Sequence, residues 1–159
     1  MIMSLKRNWP YLAISAALAS LVAVAALGFS ANADAHAGRS LVGAWYFQAP
    51  APFAPHLATF HDDGTMEVMF PDAAEADRSA SMGAGAWKRV SGNTFRGTFY
   101  EINATRATNQ FESNLVVTFT VNVTGDTFTG TASARYLDAD GNLLEGPFDG
   151  PLTGTRIEA

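Results

Sequence analysis

The sequence predicts an all-β fold, a single antiparallel up-and-down barrel of about eight strands, with a two-sheet sandwich as the alternative. Three observations lead there. The first is a long hairpin. In Phe111–Val123 the residues Phe111, Leu115, Val117, Phe119, Val121 and Val123 share one face, with Ser113 the exception, while Glu112, Asn114, Thr118, Thr120 and Asn122 fall mostly on the other. Thr124-Gly125-Asp126 turns the chain, and Thr127–Tyr136 alternates back with Phe128, Gly130, Ala132, Ala134 and Tyr136 on one side. Period two over β-branched arms is the mark of strands with one buried face. The second observation is a series of Gly-containing turns between short β-rich runs, at Asp62-Asp63-Gly64, Ser91-Gly92-Asn93 and Asp138-Ala139-Asp140-Gly141. The third is that no stretch of helical period follows residue 37. Hairpins joined to hairpins make a meander, and closing an eight-strand meander buries its apolar face and removes its edges.

Taken in order, Val42–Gln48 is the first strand. Ala49-Pro50-Ala51-Pro52-Phe53-Ala54-Pro55 carries three prolines, which cannot join a central ladder, so it is a stiff loop whose Phe53 is placed to cover an opening. His56–His61 and Thr65–Phe70 form a hairpin about Asp-Asp-Gly. Pro71–Gly85 is rich in Ala, Asp, Ser and Gly and reads as a loop with room for one helical turn near Ala73–Arg78. Ala86–Val90 and Thr94–Ile102 form the next pair, Asn103–Gln110 is a polar connection, and the long hairpin follows. Asn142–Glu145 is a short strand that Gly146-Pro147 breaks, and Pro151–Ile157 is the last. Asn93-Thr94-Phe95-Arg96-Gly97-Thr98 echoes Asp126-Thr127-Phe128-Thr129-Gly130-Thr131, and a glycine within a strand marks the bend a small barrel requires.

The chain has 159 residues, of which 1–37 read as an export signal and 38–159 as the barrel domain. Lys6 and Arg7 precede an uncharged Ala/Leu/Val run from Tyr11 to Phe29, and the triplets Ala31-Asn32-Ala33 and Ala35-His36-Ala37 suit signal peptidase. Cleavage after Ala37 is expected, with Ala33 as the second choice. An uncleaved membrane anchor is the alternative, since the run approaches the roughly 20 residues that span a bilayer. The expected location is therefore outside the cytoplasm, periplasmic or secreted, with membrane contact only through the N-terminal segment if it is kept. Without residues 1–37 the chain holds 8 Lys plus Arg against 14 Asp plus Glu. An acidic domain cannot displace counterions from phosphate, so nucleic acid is not an expected partner. There is no cysteine, which removes disulfides, thiolate metal sites and a cysteine nucleophile together.

At Gly43-Ala44-Trp45 on the first strand and Thr155-Arg156-Ile157 on the last, the chain resembles the calycins, the group of lipocalins, fatty-acid-binding proteins and avidins. The resemblance implies that Gly43 and Trp45 sit at the closed end of the barrel and that Arg156 lies across the indole, a structural role for all three. A guanidinium on Trp contributes roughly 0.5–2 kcal/mol of cation–π attraction. The chain departs from a typical secreted lipocalin in having no helix after the barrel, no cysteine and a short length. The pattern is also similar to small bacterial barrels of the allene-oxide-cyclase-like type, some of which are cyclases.

Glu101 projects on the side of Phe95 and Phe99. A carboxyl in an apolar cavity has a raised pKa and can serve as proton donor or base. Against that stands its place near the end of Thr94–Ile102, where its carboxylate is expected to reach water. Tyr46 and Tyr100 are the other candidate catalytic groups, although a barrel tyrosine more often supplies apolar area and one hydrogen bond. His56 and His61 lie five apart on one strand and face opposite sides, so no metal site is expected. No phosphate loop, Gly-x-Ser-x-Gly or His-Glu-x-x-His is present, and no cofactor is expected. The expected function is an exported lipocalin-like barrel that binds a small hydrophobic molecule among Phe60, Met66, Val68, Phe70, Phe95, Phe99, Leu115, Val117, Phe119 and Val121. The alternatives are a cofactor-free isomerase or cyclase acting on an apolar substrate, and a ligand-free structural protein of the envelope.

Overall fold

The computed structural model describes residues 40–50, 53–71 and 77–158. The expected export signal, with the helix expected of it, lies outside the described residues. Among the described residues there are nine strands: β1 (Gly43–Gln48), β2 (His56–Phe60), β3 (Thr65–Met69), β4 (Arg78–Ala80), β5 (Gly83–Ser91), β6 (Thr94–Thr105), β7 (Phe111–Thr124), β8 (Thr127–Leu137) and β9 (Leu143–Arg156). All pairings are antiparallel. The ladder runs from β5 through β3, β2, β1, β9, β8 and β7, and β7 pairs again with β6, which pairs with β5. Eight strands thus close into an up-and-down barrel, and the sandwich is set aside because the first and last strands pair, Trp45 opposite Arg156.

Three boundaries differ from the sequence reading, each for a physical reason. Part of Pro71–Gly85 is strand. β4 pairs with Asn103–Thr105 and β5 with the first half of β6, so the two lie in line along one edge of a single long neighbour. The ladder claims residues whose composition alone reads as loop. β6 continues beyond Ile102 to Thr105 because β4 and β7 flank it on both sides there. Gly146-Pro147 does not end a strand. β9 passes through it with irregular register opposite Tyr136, and Gly146 takes a φ of 101°, which glycine tolerates.

The inward face is apolar along each strand: Trp45 and Phe47 on β1, Ala58 and Phe60 on β2, Met66 and Val68 on β3, Phe95 and Phe99 on β6, Phe119, Val121 and Val123 on β7. Glycines make room where two walls converge. A Cβ at Gly97 would strike the Phe119 ring, and one at Gly130 would strike the Thr120 carbonyl. The two echoed glycines thus both occupy points of close approach, as the bends of a small barrel require.

One end is plugged. Trp45 is fully buried, its Nε1–H donates to the Leu41 carbonyl at 2.8 Å, and its ring lies 5.1 Å from that of Phe128. The Arg156 guanidinium sits 4.3 Å over the indole. It donates to the Val42 carbonyl at 2.6 Å, the Ser40 carbonyl at 2.7 Å and the Asp126 carboxylate at 3.0 Å. Gly43 has a φ of 124°, and a Cβ there would come 2.8 Å from Arg156 Nη1. The structural role expected for Gly43, Trp45 and Arg156 is what their contacts display, and the closed antiparallel barrel is consistent with a calycin-like fold.

Candidate functional site

The other half of the barrel is not filled. At the plugged end Trp45 packs on Phe128, whose ring also borders the open half, while β7 and β8 bring smaller residues there, Leu115 and Val117 on the one and Ala132 and Ala134 on the other. The space they leave is a cavity of about 470 Å³. That lies within the roughly 300–1,000 Å³ of small-molecule sites. Phe60, Met66, Phe99 and Phe119 line its interior, and Phe47 joins them from β1. Its rim is built by Ala49, Pro50 and Phe53 after β1 and by Pro147, Phe148, Asp149 and Gly150 of β9. The proline-bounded loop therefore does place Phe53 at an opening, with 41% of the residue exposed.

Three titratable side chains line this wall, Asp149 exposed at the rim and Glu101 and His56 further in. Glu101 is only 3% exposed, and its Oε1 is buried without a hydrogen-bond partner. Burial alone pushes its carboxyl from 4.5 up to about 8. The expectation that Glu101 reaches water is corrected here. The strand runs on past it, Leu115 of β7 stands opposite, and its Cγ lies close to Gly83 of β5. Just beyond it, Asn103 and Ser113 are buried as a pair, Nδ2 donating to Oγ at 3.2 Å. Ser113, the polar exception on the apolar face of the hairpin, thus has a partner on the adjacent strand.

His56 is the second group. Its ring stacks on Phe47 at 5.0 Å and leans on Phe70 at 5.5 Å, and its Nδ1 is buried without a partner. Burial holds the imidazole below its ordinary 6.5, with a hydrogen bond to the Ala54 backbone working the other way. A neutral imidazole and a neutral acid therefore share one apolar cavity near pH 7. Reading the sequence for metal ligands passed over His56 as a cavity group. The signal available was parity, since His56, Ala58 and Phe60 share a face.

The candidate residues separate into three sets. Phe60, Met66, Phe99, Leu115, Val117, Phe119, Val121 and Glu101 meet at the cavity. Val68 and Phe95 are buried in the core beside it, and Phe70 packs behind His56. Tyr46 and Tyr100 are 42% and 52% exposed on the outer surface, one residue out of phase with the inward positions. They cannot act on anything inside. Asp63 serves its turn, accepting from the Thr65 N–H at 2.8 Å and the Thr65 hydroxyl at 2.6 Å. Those two bonds hold its carboxyl below the ordinary value. Among the described residues no three of His, Asp and Glu are grouped as metal ligands would be. No family model matches this chain, and no curated protein or solved structure shows significant similarity to it.

Proposed function

We propose that this is an exported, lipocalin-like binding protein that carries a small hydrophobic molecule inside its barrel. The observation that supports this best is the cavity itself. A barrel of eight strands is wide enough to be packed solid by its own side chains, and this chain instead sets Leu, Val and Ala where larger residues would close the space. An unfilled apolar volume of this size is costly to keep, because each missing contact forfeits dispersion energy and leaves residual cavity. A ligand restores those contacts. The signal-like segment of residues 1–37 supports export, which places the molecule where apolar compounds need a carrier through water.

Native mass spectrometry of the protein purified from its own host tests the reading. A co-purifying small molecule of a few hundred daltons is the expected result. Bare protein, together with no thermal shift from a panel of lipids and terpenoids, would overturn it in favour of a ligand-free structural barrel.

One observation supports a second reading, a cofactor-free isomerase or cyclase. Glu101 is a buried acid poised near neutrality within reach of whatever occupies the cavity, the condition general acid–base catalysis requires. Under that reading Glu101→Gln abolishes turnover of a bound compound while its affinity persists. Under the carrier reading there is no turnover to lose.

A further inference from the structure

The cavity wall has a chemical bias that narrows its ligand. Among the described residues its polar side chains are His56, Glu101 and Asp149 alone. Two of the three are carboxyls. No Lys, Arg, Ser, Thr, Tyr, Asn or Gln side chain of the described residues lines it. A carboxylate or phosphate ligand would enter a desolvated space with no cation and no hydroxyl to receive it, and burying an unpaired charge is costly. A plain hydrocarbon would leave Glu101 Oε1 still without a partner. The aromatic rings point the same way. Phe47, Phe60, Phe99, Phe119, Phe128 and Phe148 surround the space, and ring faces are the negative part of the aromatic quadrupole.

We infer that the ligand is a small apolar amine, its ammonium seated on the Glu101 carboxylate and its hydrocarbon body among the phenylalanines. The inference rests on the carrier reading above and adds the head group. Glu101 lies deep enough to be almost wholly shielded from water, so an ammonium there exchanges its hydration for a charge-assisted bond in a low-dielectric site. The pair enters the cavity with no net charge. The proton that Glu101 holds in the empty barrel passes to solvent as the ammonium arrives. The groups facing Glu101 from the neighbouring strands are uncharged: Gly83 on β5, Val68 on β3, Leu115 on β7, and Phe99 and Asn103 on its own strand. Across the cavity stand His56, whose pKa is lowered, and the exposed Asp149.

Three probes of one chain length test this on the full-length protein: decylamine, decanol and decanoate, with affinities measured by calorimetry below their micelle concentrations. The amine is expected to bind at least about tenfold more tightly than the alcohol, and the carboxylate most weakly. The wild-type protein supplies a control that needs no variant. With Glu101 titrating near 8, affinity for decylamine should rise about tenfold from pH 7 to pH 9 while that for decanol stays level. Glu101→Gln should bring the amine down to the alcohol's affinity and abolish its pH dependence. Equal binding of all three probes, or preference for decanoate, overturns the amine and leaves the hydrophobic carrier standing. Binding of none of them overturns both.

Discussion

Around Trp45 the polar groups are committed, the indole N–H to Leu41 and the Arg156 guanidinium to Val42, Ser40 and Asp126. In the other half of the same barrel Glu101 and His56 each keep a buried atom that no group among the described residues answers. The two regions use the same strands, β1 and β9 holding the plug at one end and lining the cavity further along. The difference teaches how one small domain divides its work. The plug is dense, ring on ring and fully hydrogen-bonded, and it tolerates loss poorly. The cavity is loosely filled and carries a group whose burial opposes folding. The plug's contacts favour the folded barrel, and the cavity's unpartnered groups oppose it.

The sharpest way to break that contrast is pH. Unfolded, the Glu101 carboxyl titrates at its ordinary 4.5, and folded at about 8. Between those values the folded chain keeps a proton that the unfolded chain has lost, so stability is full below pH 4.5 and falls until about pH 8. The loss attributable to this group is up to about 5 kcal/mol. Glu101→Gln should remove that slope, so the variant matches wild type near pH 4 and exceeds it at pH 8. Urea denaturation of both proteins across the range measures the difference. Parallel stability curves would mean that Glu101 is solvated in the folded state and that the cavity is wetter than the structure places it.

Trp45→Ala attacks the other end. Truncating a fully buried indole with a ring neighbour, a hydrogen bond and a guanidinium on its face should cost about 3–5 kcal/mol. The melting temperature should fall without any change in the pH slope. If the slope changed as well, the plug and the cavity would be one cooperative unit rather than two regions with separate roles.

Arg156→Met keeps most of the side-chain volume but removes the two carbonyl bonds, the contact with Asp126 and the cation over the indole. Charge-assisted hydrogen bonds and cation–π attraction together put the expected cost at about 2–3 kcal/mol. Little of it comes from Asp126, whose side chain is 57% exposed and pairs in high dielectric. Asp126→Asn should therefore move the denaturation midpoint far less than Arg156→Met, and equal effects would assign the clamp to the ion pair instead.

The plug was legible in the sequence because its parts are few and positional. Gly43-Ala44-Trp45 and Arg156 sit on the first and last strands, and closing a meander necessarily brings those strands together. The long hairpin was legible because its alternation is clean, and β7 and β8 begin where the pattern begins. The cavity was legible only in part. Alternation places Glu101 inward, but how far the strand runs past it depends on β4, whose residues look like loop and become strand only by pairing with Asn103–Thr105. Long-range pairing decided whether Glu101 was wet or dry, and no local pattern reports that. Likewise β9 crosses Gly146-Pro147 because β8 holds it on the far side, which local propensity argues against.

The smallest expected effect tests parity alone. Tyr46 and Tyr100 alternate with Trp45, Phe47, Phe99 and Glu101, and a strand sends successive side chains to opposite faces. Both rings therefore lie outside, while the groups beside them in sequence lie within. Tyr46→Phe and Tyr100→Phe should each change stability by no more than about 0.5 kcal/mol, as exposed substitutions do. Decylamine affinity and its pH profile should be unchanged in both. A tyrosine variant that altered ligand binding would require β1 or β6 to slip by one residue. A slip of β1 would also turn Trp45 out to solvent and shift its fluorescence to the red, and a slip of β6 would turn Glu101 out and shift the pH profile of binding. Binding changed without either shift would instead place a second ligand on the outer wall.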